Sequence, residues 1–274
     1  MAAAETQTES APRCWPERYR QLLSASQLDA NEVLGQALRA PNLERPALLS
    51  LRQCLEQPDL LKRQLLADYP EMSEPQQLRA ALSVAHQDLS LSVIAPLIIT
   101  LFLRGEAGVP DPGRIFLAPA NEGSSVSRWF QAGQGEAVGV EPFITHLSTA
   151  MNDWYPTFRK SLGVSPGAYW SSVGLALGAP FSAVWNLAVP RDICTLAGEW
   201  LEQFWCDANR YIDWIPAEFG DQACALPQRK GCCLKYLLPG NGYCGTCGIH
   251  RKQRLSALRQ SPHSQPPGQW RPQE

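Results

Sequence analysis

Four of the nine cysteines in this 274-residue chain lie in the stretch GCCLKYLLPGNGYCGTCGIH, which runs from Gly231 to His250. Cys232 and Cys233 are adjacent, ten residues follow, and Cys244 and Cys247 complete the pattern C-C-x10-C-x2-C. Four thiolates at close range make a soft, anionic pocket, which suits an iron–sulfur cluster or zinc and is a poor site for magnesium or calcium. The spacing therefore predicts a site for a soft metal.

The two cysteine pairs differ in the geometry that they allow. Two residues separate Cys244 from Cys247, so both sulfurs can turn onto one metal, and the small Gly245 lets amide N–H groups approach them. Adjacent side chains of an extended chain point to opposite sides, so Cys232 and Cys233 need a bent backbone or different irons of one cluster. Structural zinc sites commonly use two C-x2-C pairs, which makes the adjacent pair less typical of zinc.

Three other interpretations of these cysteines stay open on spacing alone. One is structural zinc, and another is a disulfide, which the lack of a recognisable secretory signal disfavours. The third is a Rieske-like site, because Cys247 and His250 have ligand spacing, although such a site needs two histidines on one iron. The remaining cysteines lack partners at ligand spacing and are predicted not to be ligands: Cys14, Cys54, Cys194, Cys206 and Cys224.

The stretch between the cysteine pairs carries turn chemistry and a family resemblance. Leu237-Leu238-Pro239-Gly240-Asn241-Gly242 predicts a tight turn that brings the two pairs together. The whole motif, with its Leu-Pro-Gly-x-Gly-Tyr-Cys run, resembles the C-terminal cluster motif of the FhuF family of ferric-siderophore reductases. The resemblance is specific at this segment and looser across roughly residues 75–225. In that family the four cysteines hold a 2Fe–2S cluster. This implies that Cys232, Cys233, Cys244 and Cys247 bind the cofactor, ligate its metal and act in catalysis through it.

The resemblance also implies a function. It suggests a cytoplasmic ferric-chelate reductase, an oxidoreductase of iron transport that passes one electron from the cluster to Fe(III) held by a siderophore. The more weakly bound Fe(II) then leaves the hard oxygen ligands of the siderophore. Peripheral contact with the inner membrane, where imported chelates emerge, stays open. Two alternatives are a zinc-stabilised binding module and an electron-carrier or siderophore-handling protein without reductase turnover.

The electrons are expected from outside the chain. The sequence contains no Walker A loop, no G-x-G-x-x-G after a strand, no G-x-S-x-G elbow and no H-E-x-x-H motif. The absence of a recognisable nucleotide motif indicates a separate electron donor, which would be a reductase, a ferredoxin or a small reductant.

Composition and charge are those of an ordinary globular protein, with 45% hydrophobic residues and a formal net charge of −2. The sequence has no excess of basic residues, so no nucleic-acid partner is expected. The N-terminal MAAAETQTESAPR has acidic residues and no apolar core, so neither a signal peptide nor a membrane anchor is expected. The predicted organisation is a disordered tail at 1–18, a helical or α+β siderophore-binding body at 19–225, a 2Fe–2S segment at 226–260 and a disordered tail at 261–274.

The predicted fold class is α+β, with a mostly helical body, a small antiparallel sheet and a C-terminal iron–sulfur segment. The apolar run Leu91–Leu103 is shorter than the ~20 residues that cross a bilayer, and it is interpreted as a buried helix interrupted at Pro96. Two strands, at 114–118 and 125–130, are predicted to form a hairpin, and a third is placed at 137–140. The other predicted helices are three short ones between Tyr19 and Tyr69, separated by Pro41, Pro46 and Pro58, one that begins near Ser73, and further ones that begin at Pro142, Pro166 and Pro190.

Residues 228–260 contain seven basic side chains and neither Asp nor Glu. A 2Fe–2S cluster with four thiolates carries about two negative charges when oxidised and about three when reduced, so nearby cations favour the reduced form. The same cations could dock an acidic donor or an anionic ferric chelate. The alternative to both roles is that the basic residues only form a solvated helix after Ile249. The basic residues are Arg229, Lys230, Lys235, Arg251, Lys252, Arg254 and Arg259.

Overall fold

The computed structural model describes residues 14–38, 46–119, 126–133, 135–219 and 222–247. Helices hold 57% of these residues and the strands form small antiparallel sheets, which confirms the predicted α+β class. The helices are α1 Trp15–Ala25, α2 Ala30–Ala37, α3 Leu51–Glu56, α4 Pro58–Asp68, α5 Pro75–Leu89, α6 Ala95–Arg104, α7 Val140–Pro156, α8 Pro166–Leu177, α9 Ala179–Ala183, α10 Pro190–Leu201 and α11 Ala208–Tyr211. The strands are β1 Leu49–Ser50, β2 Glu106–Gly108, β3 Ile115–Pro119, β4 Ser127–Gln131, β5 Ala137–Gly139, β6 Ile212–Phe219 and β7 Gln222–Arg229.

A long, continuous helix forms the centre of the body. It comprises α5, one π-helical turn at Ser90–Ile94, and α6, and it ends at Gly105 with a left-handed φ of 79°. Pro96 cannot donate to the helical ladder, so the backbone widens in the turn before it, at the break that the sequence predicts. The N-cap is Glu74, one residue after the predicted Ser73, and its amide donates to the Gln77 side chain at 3.1 Å.

The central helix packs inside the body. By length and composition the 30-residue helix could cross a membrane, but 61% of its most apolar window is buried, as in the core helix of a folded domain. Aromatic rings surround α6 edge to face, because Phe102 lies 4.9 Å from Trp200 and 5.3 Å from Tyr19, measured between ring centroids. Such edge-to-face contacts add to the stabilisation that burial of the rings provides.

The predicted hairpin is confirmed, and its sheet differs from the prediction in one strand. β3 and β4 pair antiparallel with Leu117 opposite Trp129. The strand predicted near residue 137 exists as β5, but it pairs with β2 in a separate sheet. The third strand of the hairpin sheet is β1, so the strand order is β1-β3-β4. Sequence patterns give strand positions but not partners, which depend on the path of the chain between them.

Two carboxylates, of which Asp68 is buried and Asp88 is partly exposed, cover the outer edge of β4. Asp68, at the end of α4, accepts hydrogen bonds from the amide and the hydroxyl of Ser127 at 2.9 and 3.0 Å. Asp88, in α5, accepts from the Trp129 amide at 2.8 Å and pairs with Arg128 at 3.1 Å. The exposed N–H groups of an edge strand therefore find charged acceptors within the body.

A second hairpin, β6 and β7, leads into the cysteine segment, and the sequence patterns did not predict it. Its register places Trp214 opposite Pro227 and Pro216 opposite Ala225. A proline within an apolar run argues against a strand, so the sequence pattern does not indicate this hairpin. The hairpin packs on α10 and α8, so it joins the cysteine segment directly to the helical body.

Several predicted boundaries differ from the observed elements. The described residues between Trp15 and Asp68 form four helices and not three, because the chain turns at Gln27 with a φ of 58° and restarts at the N-cap Asp29. Helix α1 begins inside the tail predicted for residues 1–18, and β7 runs across the boundary predicted at residue 226. The tail predicted at 261–274 lies outside the described residues. Helices α8 and α10 begin at Pro166 and Pro190 as predicted, and α7 begins two residues before Pro142.

Candidate metal centre

The cysteine segment is attached to the body by a glycine-to-glycine contact. Gly231 follows β7, and its backbone lies directly against Gly167 in the first turn of α8. A Cβ atom on Gly231 would lie 1.9 Å from the Gly167 carbonyl oxygen, a distance that no side chain can tolerate. This close approach requires glycine at position 231 and places Cys232 and Cys233 next to the start of α8.

A sharp bend follows the adjacent cysteines. Leu234 has a left-handed backbone with φ 60° and ψ 14°, which is costly for a residue other than glycine. The bend lets the Leu234 amide donate to Cys232 Sγ at 3.3 Å. The bend directly follows the adjacent cysteines, so which of the two predicted arrangements they use stays a prediction. An N–H contact such as that from Leu234 stabilises negative charge on the sulfur.

The loop between the cysteine pairs turns as predicted. A 3₁₀ turn at Lys235–Leu237 is followed by a β-turn, in which the Asn241 amide donates to the Leu238 carbonyl at 3.1 Å. Pro239 occupies the second position of this turn and Gly240, with φ 69°, the third, which is the pattern of a type II turn. The rings of Tyr236 and Tyr243 stack at 5.0 Å between centroids and join the two sides of the loop.

The loop brings sulfurs from the two pairs together. Cys233 Sγ and Cys244 Sγ are 3.7 Å apart, and the Cys247 amide donates to the Cys244 carbonyl at 3.0 Å. Two thiolates on one tetrahedral metal ion, each at ~2.3 Å, are about 3.8 Å apart. The Cys233–Cys244 distance therefore fits two ligands of the same ion. Cys233 and Cys247 are buried, whereas Cys232 and Cys244 are partly exposed.

The thiols are electrostatically linked. The hydrogen bond between Cys233 and Cys244 lowers the pKa of Cys233 and raises the pKa of Cys244, because the proton stays on one of the two sulfurs. Burial raises the pKa of Cys232, and the hydrogen bond from the Leu234 amide opposes this rise. Metal binding needs thiolates, so it would remove the proton that Cys233 and Cys244 share.

The structure shows one close pair of thiols in the cysteine segment. Within the described ranges, no group of three or more His, Cys, Asp or Glu side chains is arranged to hold one metal ion. A 2Fe–2S cluster needs two thiolates at each iron, whereas a four-cysteine zinc site needs four around one ion. The approach of Cys233 and Cys244 supplies two thiolates for one metal, and the ligand set of four cysteines stays a prediction. His250, the ligand of the Rieske-like alternative, lies outside the described residues.

The other described cysteines lie away from this loop. Cys224, in β7, donates to the Ala217 carbonyl across the hairpin at 3.4 Å. Burial raises the pKa of Cys54 to about 12 and those of Cys194 and Cys206 to about 11. Such thiols stay protonated at neutral pH and act as small apolar side chains, and their absence from the ligand set stays a prediction.

Arg229 has partners that the sequence did not reveal. The sequence predicts that the basic residues, Arg229 included, favour the reduced cluster or dock an anionic partner, but Arg229 is only 1% exposed. Docking by Arg229 is therefore wrong, because this last residue of β7 points its side chain into the body between α5 and α8. The guanidinium donates to Gln87 Oε1, Ser171 Oγ, Ser172 Oγ and the Ala168 carbonyl at 2.9–3.3 Å. No periodicity or motif marks these partners.

Of the other basic residues, two lie within the described part of the chain. Lys230 is half-exposed and pairs with Asp213 at 2.9 Å, whereas Lys235 lies on the rim of a cleft. The remainder of the predicted basic stretch, Arg251, Lys252, Arg254 and Arg259, lies outside the described residues.

A cleft of about 580 Å³ opens beside the cysteine loop. One wall is the loop itself, through Lys235, Pro239 and Asn241, and the rest of the lining comes from the end of α4, from α5 and the turn after it, and from the start of β4. Its volume is in the usual range for small-ligand sites. The polar side chains around it are Asp68, Tyr69, Glu71, Gln87, Asp88, Ser92, Ser127, Arg128, Lys235 and Asn241.

Comparison with known proteins agrees with this geometry at one segment. Residues 229–247 match the family model described as FhuF 2Fe-2S C-terminal domain, which confirms the predicted resemblance over that span. No curated protein and no solved structure was found to match the chain. Residues 229–247 are therefore similar to the FhuF 2Fe-2S C-terminal domain, and this similarity points to an iron–sulfur cluster as the cofactor.

Proposed function

We propose that the protein is a cytoplasmic ferric-siderophore reductase that transfers one electron to chelated Fe(III) and releases Fe(II). The observation that carries this proposal is a FhuF-type cysteine loop, with two sulfurs 3.7 Å apart, that also forms one wall of a ligand-sized cleft. Such an arrangement lets a substrate in the cleft lie directly against the loop that holds the cofactor.

The four cysteines would hold the cofactor, with Cys233 and Cys244 close enough to share one iron. A bound 2Fe–2S cluster stores one electron and releases it to an acceptor. The Leu234 amide stabilises negative charge at Cys232. The bend at Leu234 and the contact of Gly231 with α8 fix the loop, which keeps the rearrangement needed for electron transfer small.

The substrate would be a ferric siderophore bound in the cleft. Asp68 and Asp88 line it, but both already accept hydrogen bonds from the edge of β4. Among the other polar side chains of the lining, Lys235, Glu71 and Asn241 would orient a chelate. Lys235 follows Leu234 directly, so a chelate beside Lys235 would lie next to the loop that carries Cys232.

The electron balance needs an external donor. One electron enters from a separate reductase, ferredoxin or small reductant, and one electron leaves to Fe(III), which becomes Fe(II). Fe(II) is softer and binds the hard oxygen donors of a siderophore less tightly, so it dissociates or is captured. No bond of the siderophore has to break.

The test is a single-turnover experiment. Protein purified anaerobically, with iron and sulfide measured, is reduced chemically and mixed with a ferric siderophore and a ferrous trap. About one Fe(II) per cluster should appear, because one 2Fe–2S centre cycles by one electron. The trap is needed because each ~59 mV of unfavourable potential costs a factor of ten in a one-electron equilibrium.

Two variants and two outcomes complete the test. Cys233→Ser should lose the normal cluster spectrum and the turnover, since serine is a harder ligand with a much higher pKa, whereas Cys194→Ser should keep both. Reduced protein that ignores several chemically different siderophores but reduces a small oxidant would be an electron carrier. A colourless, zinc-containing protein would show the zinc-stabilised binding module.

A further inference from the structure

Arg229 is a buried charge that the body holds without a counter-ion. Its guanidinium is always protonated, and its side chain is almost fully enclosed. All four of its hydrogen-bond acceptors are uncharged, namely two serine hydroxyls, one amide and one backbone carbonyl. Among the described residues, no carboxylate lies within ion-pair distance of it. An isolated buried cation is unfavourable, so it calls for a negative partner.

The negative partner lies in the next few residues. Arg229 is three residues before Cys232, and its guanidinium donates to the Ala168 carbonyl in the first turn of α8 at 3.3 Å. Gly231, the residue before Cys232, packs on Gly167 in the same turn. The guanidinium and the start of the cysteine segment therefore lie against the same turn of α8. The neighbouring Lys230 is different, since Asp213 already compensates its charge at the surface.

We infer that Arg229 is the internal counter-ion of the cluster and a positioning residue that sets how readily the cluster accepts an electron. The inference rests on the cluster of the proposed function but not on its substrate. Reduction adds one negative charge, so a cation fixed beside the cysteines stabilises the reduced state more than the oxidised state. The fixed position of the guanidinium matters because a charge held by four hydrogen bonds does not need to reorient when the electron arrives.

The neutral surroundings of Arg229 are essential to this role. A carboxylate at the position of Gln87, Ser171 or Ser172 would form an ion pair and cancel the field that reaches the cluster. Gln87 and the two serines satisfy the N–H groups while leaving the charge uncompensated. The network also joins α5 and α8 to the end of β7, which places the charge at a defined distance from the cysteines.

The experiment measures the midpoint potential of the cluster in the full-length protein by anaerobic redox titration. Arg229→Met should shift the reduction equilibrium at least tenfold towards the oxidised form, which is about 59 mV for one electron. Arg229→Lys, which keeps the charge, should retain most of the wild-type potential. The matched control is Lys230→Met, which removes a compensated cation one residue away and should change the equilibrium less than about twofold, or about 18 mV.

A second variant covers the case in which Arg229→Met fails to hold a cluster. Gln87→Glu keeps Arg229 and places a carboxylate of the same shape 3.0 Å from it. It should lower the potential in the same direction as Arg229→Met. Wild-type potential, within a twofold change in equilibrium, in either Arg229→Met or Gln87→Glu would overturn the inference. A shifted potential in a protein that does not reduce siderophores would support the inference and contradict the reductase function.

Discussion

Two regions of this protein bury ionic side chains, and they treat the charge differently. At the edge of β4, Asp68 and Asp88 accept hydrogen bonds from backbone amides, and Asp88 also pairs with Arg128. At the end of β7, Arg229 has only uncharged acceptors. The first region uses its charges to complete the hydrogen bonding of a strand. The second leaves a charge available to something that the protein chain does not itself supply.

The difference separates stability from function. A buried carboxylate that satisfies strand amides stabilises the fold by about 1.5–3 kcal/mol for each hydrogen bond to the charged group. A buried guanidinium without a carboxylate contributes less, because its desolvation is only partly offset by neutral acceptors. A buried cation whose charge the protein compensates poorly is thus a sign of a bound anionic group. Here the neighbouring cysteines indicate where that anionic group binds.

The largest effect should come from breaking the contact that holds the second region in place. Gly231→Ala puts a Cβ atom 1.9 Å from the Gly167 carbonyl oxygen, so the segment must move away from α8. We expect loss of most bound iron and sulfide, and a decrease of about 3 kcal/mol in the free energy of unfolding, the upper end of typical overpacking costs. Metal analysis and urea titration measure the two effects.

Gly245→Ala is the control, because a Cβ atom there meets nothing within 4 Å. It should keep its iron and its stability. Normal cluster content in Gly231→Ala would mean that attachment to α8 is not needed for the cysteines to assemble.

An intermediate effect is expected in the first region. Asp68→Ala removes the acceptor of the Ser127 amide and hydroxyl and leaves a buried strand edge unsatisfied. The free energy of unfolding should fall by about 2–3 kcal/mol, while iron and sulfide per folded molecule stay the same. Asp59→Ala, which removes an exposed acid from the same helix, should change the free energy of unfolding much less than Asp68→Ala. If Asp68→Ala lost the cluster at unchanged stability, the edge of β4 would serve the cluster and not the stability of the fold.

A smaller, pH-dependent effect should come from His86, which lies stacked on Tyr169 at 4.0 Å between ring centroids. Burial, with help from the Arg229 charge, lowers its pKa to about 3. The unfolded chain takes up a proton near pH 6.5, whereas the folded protein does not. The stability that neutral His86 provides is therefore complete above pH 6.5 and is lost at about 1.4 kcal/mol per pH unit as the pH falls towards 3.

The measurement compares urea unfolding of wild type and His86→Phe at pH 6.5 and pH 5. Wild type should lose about 2 kcal/mol more than the variant over this interval. His146→Gln, a change at an exposed histidine of α7, should behave like wild type. Equal pH dependence in wild type and His86→Phe would mean that His86 is protonated in the folded state.

What the sequence could predict here is local. The Pro239-Gly240 turn, the helix starts at Pro166 and Pro190 and the need for a bend at the adjacent cysteines follow from residues next to one another in the chain. The β6–β7 hairpin was missed because Pro216 and Pro227 disguise its strands, although Gly220-Asp221 between them is a hairpin signal in the sequence. The burial of Arg229 was not predictable, because its partners come from two helices whose proximity only the fold establishes.

The segments that the Arg229 network joins are synthesised at different times. Gln87 precedes Arg229 by 142 residues and Ser171 precedes it by 58, so both helices leave the ribosome well before the cysteines do. Domains fold as units during translation, so the emerging cysteine loop meets a body that can already receive it. Cofactor insertion would then be a late step of maturation.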